Sequence, residues 1–117
     1  MKNIIIASLL FCMSCSSSKK NKVEDLPVPP CINSLIDGFK REEVKNPPRS
    51  VYQYKYKDQI VYYVPAICCD FFSDLYDDQC KLLGHPDGGY TGRGDGTYTD
   101  FIDLRTDEKL IWKDDRK

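Results

Sequence analysis

Six cysteines in a chain of 117 residues, four of them at positions 31, 68, 69 and 80, constrain the fold more than any other feature of the sequence. So dense a set points to a disulfide framework or a metal site. The spacing argues against zinc: Cys31, Cys68, Cys69 and Cys80 contain no C-x-x-C pair, and His85 is the only histidine. The length suits one domain. Eight Tyr, five Phe and one Trp supply a core that a disordered chain lacks. With 17 basic against 18 acidic residues, the charge balance gives no electrostatic argument for a nucleic-acid partner.

The first fifteen residues read as a targeting segment. Lys2 is followed by an apolar run, Ile4–Met13, of ten residues. That run is shorter than the roughly 20 residues a bilayer-spanning helix needs. Small Ser14 then precedes Cys15. The arrangement resembles a bacterial lipoprotein signal, with Cys12 in place of the usual Leu. The resemblance implies a signal peptide over 1–14 and palmitate-type acylation of Cys15. It further implies a lipid-anchored place in the cell envelope, at the outer membrane of a Gram-negative bacterium. The Ser- and Lys-rich stretch to Lys20, then Pro27, Pro29 and Pro30, make 15–30 a flexible tether with a stiffer far end.

In that oxidising setting two disulfides are expected among Cys31, Cys68, Cys69 and Cys80. Adjacent strand residues point to opposite faces. Cys31 is therefore expected to pair with one of Cys68 and Cys69, and Cys80 with the other.

Residues 31–117 carry the folded domain. Ile32, Leu35, Ile36 and Phe39 lie at i, i+3, i+4 and i+7, which predicts an amphipathic helix ending before Pro47 and Pro48. Val51–Lys57 alternates Tyr52, Tyr54 and Tyr56 with Gln53, Lys55 and Lys57, which predicts a half-buried strand. Its tyrosine face is expected beneath the helix. After a turn at Lys57-Asp58-Gln59, a more central strand over Ile60–Ile67 is expected to lose pairing near Pro65. Phe71–Asp78 reads as a loop or helical turn, and Gln79–Leu83 as a third strand. Five of seven glycines fall within Gly88–Gly96, a long Gly-rich loop. Asp100–Asp103 suggests a short helical turn and Leu110–Lys113 a last strand. The fold class is α+β: one N-terminal helix on a small, mainly antiparallel sheet, stapled by disulfides.

Several pieces recur in a family of small, uncharacterised bacterial lipoproteins that the region 47–116 resembles. They are Pro47-Pro48, Val51-Tyr52-Gln53-Tyr54, Val61-Tyr62-Tyr63, Cys68-Cys69-Asp70, Leu75-Tyr76-Asp77 and Cys80. They continue with Pro86-Asp87-Gly88-Gly89, Gly94-Asp95-Gly96, Asp100-Phe101 and Ile111-Trp112-Lys113-Asp114. The resemblance implies location and fold class, and no mechanism. Its members often carry a further cysteine pair where Gly84 and Tyr98 stand in this chain.

Candidate chemistry is sparse. Asp70, Asp74, Asp77, Asp87 and Asp95, with neighbouring glycines, have the composition of a calcium-binding loop. EF-hand spacing is missing, and turn capping by Asp is the commoner use. No serine has a nucleophile-elbow context, so no catalytic residue is assigned. Tyr90, Arg93, Asp95, Tyr98 and Trp112 are the candidates for an interaction surface facing an envelope protein or extracellular ligand. The expected function is a non-enzymatic binding module; the alternative is a small extracytoplasmic enzyme or calcium-dependent module.

Overall fold

A computed structural model of the chain describes residues 26–68 and 70–117. The proposed lipidation site Cys15 and the expected disulfide residue Cys69 lie outside them. The elements run α1 (Pro30–Arg41), β1 (Ser50–Tyr56), β2 (Gln59–Val64), β3 (Asp74–Asp77), β4 (Leu82–Gly84), α2 (Phe101–Leu104) and β5 (Thr106–Lys113). The five strands form one sheet in the order β4-β3-β2-β1-β5, every neighbouring pair antiparallel. The α+β expectation holds, with β2 at the centre. No helix among the described residues is long and apolar enough to cross a membrane.

Helix α1 forms where the apolar stripe predicts it. Pro30, whose ring fixes φ at a helical value, opens it, and Ile32, Ile36 and Phe39 are buried. They pack on Val51, Tyr62 and Val64 of the sheet, with Trp112 at the edge of the cluster. The β1–β2 hairpin turns through Lys57 and Asp58, both left-handed at φ 46° and 60°. Such a two-residue turn matches the right-handed twist of its strands, and here it forms without glycine.

Three expectations are corrected. Tyr54 and Tyr56 are core residues, but they pack with Val61, Tyr63, Leu75 and Phe101 on the face away from α1. Val51 is the β1 residue in the cluster beneath the helix, and fully buried Gln53 accepts a hydrogen bond from Tyr62 of that cluster. Alternation tells which residues share a face, and a second apolar layer, α2, covers the tyrosine face. Next, part of the segment read as a loop is strand β3, paired with β2 and carrying fully buried Leu75. The expected third strand shrinks to β4, because residues 78–81 turn the chain.

The third correction concerns the disulfides. Cys31 and Cys80 bond to each other, tying the start of α1 to the β3–β4 turn. Cys68 is disulfide-bonded as well. The register, Val61 opposite Asp77 and Val64 opposite Asp74, explains why the crosswise pairing fails. It puts the 78–81 turn at one end of the β2–β3 pair and the chain leading to Cys68 at the other.

Candidate interaction site

The sheet face away from α1 is covered by α2 and by the segment 85–100, and the chain pins that segment at specific points. Gly88 forms bridges to both Phe72 and Arg93. Gly94 lies so close to the His85 carbonyl that a Cβ there would stand 1.9 Å from its oxygen. Gly84 faces Tyr98, whose ring a Cβ at Gly84 would meet at 3.0 Å. Gly84 and Tyr98 are therefore neighbours.

Beneath this layer the polar groups satisfy one another. The Tyr63 hydroxyl donates to Asp87 Oδ2 at 2.6 Å and lies 3.2 Å from Ser73 Oγ. Ser73 Oγ also accepts the Ala66 N–H. Burial, then the hydrogen bond to Asp87, pushes the Tyr63 phenol above its ordinary range. His85 Nδ1 lies 2.9 Å from Asp74 Oδ1 and 3.0 Å from the Ser73 carbonyl oxygen. Both partners are acceptors, so Nδ1 carries the hydrogen. The His85 ring stacks on Phe72 with centroids 4.9 Å apart. Next to this network the Arg105 guanidinium sits 4.7 Å from the Tyr54 ring centroid and also faces Tyr63 and Phe101. Such cation–π contacts fix the arginine over the tyrosine layer.

Apolar side chains stand outward on this frame. Tyr90 is 92% exposed, Phe71 61% and Phe72 45%, with Ile102 and Leu104 exposed on α2. A shallow groove of about 440 Å³ is lined by Pro86, Asp87, Gly92, Arg93, Thr99 and Ile102. Tyr and Arg are among the residue types that dominate binding energy at protein interfaces.

The structure separates the residues that the sequence grouped. Of the interaction candidates, Tyr90, Arg93 and Asp95 are exposed on the 85–100 segment. Tyr98 is half-buried, its ring edge-on to Tyr56. Trp112 is half-buried on the α1 side, stacked on Phe39 at 6.2 Å. These five residues do not form one surface. Phe71, Phe72 and Ile102 belong to the exposed set instead. Two consecutive Phe between Asp70 and Asp74, in a stretch without periodicity, were the available sequence signal.

The carboxylates suggested for calcium serve separate local contacts. Asp77 Oδ1 accepts the Gln79 and Lys81 N–H groups, and Asp95 Oδ1 accepts from the Thr97 N–H and hydroxyl. Asp74 pairs with His85 and Asp87 with Tyr63, while Asp70 is exposed. Among the described residues no group of three or more His, Cys, Asp or Glu side chains comes together as a metal site would need.

A family model for a domain of unknown function, DUF6970, matches residues 37–114. No curated protein and no solved structure matches the chain.

Proposed function

The chain belongs to the DUF6970 family, and from that premise we propose that it is a non-enzymatic binding module, lipid-anchored through Cys15 at the outer membrane of a Gram-negative bacterium. One observation carries the binding reading. Exposed Phe71, Phe72 and Tyr90 stand on a layer whose polar groups, Tyr63, Asp87, Ser73, His85 and Asp74, are engaged with one another. The layer beneath these side chains is held in place before contact, which lowers the entropic cost of association. Support for the anchor comes from Lys2, the apolar run to Met13, and Ser14 before Cys15. A diacyl anchor holds a protein on a bilayer far more firmly than one chain does.

Two experiments test the two halves. Mass spectrometry of the full chain extracted from Gram-negative envelopes should find a diacylglyceryl thioether on Cys15, and Cys15→Ser should leave the membrane fraction. An unmodified Cys15 in the membrane-extracted chain would sink the anchor. For the surface, a photo-cross-linking amino acid is placed at Tyr90 or Phe71, and at exposed Asp37 on α1 as a control. A discrete adduct from the first two positions and none from the third supports the module. Equal yields at all three, or none anywhere, refute it.

A further inference from the structure

The Cys31–Cys80 bridge joins the first turn of α1 to the β3–β4 turn, and both ends are positioned by other contacts as well. Cys80 has φ 61° in a turn that Asp77 holds. The Asp77 carboxylate accepts the Gln79 and Lys81 N–H groups, and its carbonyl accepts the Cys80 N–H. Beside Cys31, Ile32 is fully buried against the sheet.

The two ends of α1 are secured differently. At the last turn Arg116 donates to the carbonyls of Lys40 and Phe39, and the Arg49 guanidinium lies 4.4 Å from the Phe39 ring centroid. The first turn has no side-chain cap at Pro29 and no acidic residue to complement the helix dipole. Its covalent fastening is the bridge. Cys31 and Cys80 are half-buried next to exposed Asp78 and Gln79, within reach of a small dithiol.

We infer that the Cys31–Cys80 bond is a reversible redox latch on the first turn of α1. A dithiol reduces it by exchange: the S–S bond breaks, both cysteines become thiols, and the reductant's two thiols are oxidised to its own disulfide. Reduction loosens the first turn and the chain entering it, and leaves the sheet and the last turn of α1 in place. The Asp77 turn keeps Cys80 in position, so oxidation by a small disulfide restores the bond. The latch is independent of the anchoring and binding proposals.

Amide hydrogen exchange on the full chain tests it, with Cys31→Ser/Cys80→Ser isolating this bond from that of Cys68. Relative to the oxidised wild type, the double variant should lose at least about tenfold more protection at Ile32–Ser34 than in β1, β2 and Phe39–Arg41, whose exchange rises only by the bridge's share of global stability. Dithiothreitol should reproduce the loss at Ile32–Ser34, and oxidised glutathione should restore protection. Unchanged exchange at Ile32–Ser34 overturns the latch in favour of a passive bridge. Equal loss of protection at Ile32–Ser34 and throughout β1 and β2 overturns it in favour of a staple for the whole fold. Failure of Cys31 and Cys80 to rejoin overturns its reversibility.

Discussion

Gly92 and Gly94 take similar left-handed conformations, φ 75° and 67°, yet their surroundings differ. A Cβ at Gly92 meets open space, whereas one at Gly94 would run into the His85 carbonyl. Gly92→Ala should therefore cost only backbone strain, about 1–2 kcal/mol. Gly94→Ala adds a clash that must move the segment off His85, and should cost roughly 2–4 kcal/mol in urea unfolding. Equal losses would show that the segment is not pinned at His85. Tyr63 makes a complementary test. Tyr63→Phe leaves Asp87 Oδ2 without its donor and should cost roughly 1–2 kcal/mol. Tyr54 and Tyr63 are both held protonated above the ordinary tyrosine value of 10.0, chiefly by burial. The unfolded chain therefore loses these protons first, and stability should fall as pH rises past about 10. Tyr63→Phe should reduce that alkaline loss, measured as unfolding midpoint against pH. Sequence shows the five clustered glycines plainly, but not which of them a neighbouring carbonyl crowds, because that neighbour is distant in sequence.

At the scale of elements, what could be read depended on whether a segment's signal was its own. Helix α1 carries its stripe and its opening proline within twelve residues, so its place is evident from sequence. Strand β3 has four residues with an aspartate at each end; it exists because β2 pairs with it, and no local pattern reveals that. The tyrosine row of β1 showed a shared face, while the layer covering it, Phe101, comes from a four-residue helix far along the chain. The C-terminal clasp of α1 is equally non-local. Asp114 and Arg116 pair through Nε and Nη2, and the same guanidinium caps the Phe39 and Lys40 carbonyls. Arg116 holds the Asp114 carboxyl below the ordinary value of 3.8. A depressed carboxyl contributes stability above its unfolded value and loses it as pH falls through the lower, folded value. That contribution should therefore decline as pH falls below about 4. Arg116→Ala should lower the thermal midpoint at neutral pH and narrow the gap between neutral pH and pH 3. A midpoint that drops equally at both pH values would show that Arg116 acts as a cap alone.

For the whole molecule, the border of the folding unit is set by packing rather than by the extent of the family match. The match begins at residue 37, inside α1. Yet Ile32 and Ile36 are two of the six buried residues in the cluster between helix and sheet, and Cys31 holds the bridge to Cys80. Removing residues 1–36 would strip roughly 1.5–3 kcal/mol of burial for each isoleucine. It also removes a bridge worth about 2–4 kcal/mol and half of the helix that covers Val51, Tyr62 and Val64. Against a total stability of about 5–15 kcal/mol, losses of that size leave no cooperative fold. A chain beginning at Leu26 keeps α1, the bridge and both apolar clusters. It should therefore unfold in one transition with a midpoint near that of the full chain, while a chain beginning at Asp37 should show no near-ultraviolet dichroism and no transition. A cooperative transition in the shorter chain would show that the sheet, closed on its other face by α2 and Phe101, folds without the start of the helix. In that case the N-terminal half of α1 would be an attachment to the domain rather than part of its core.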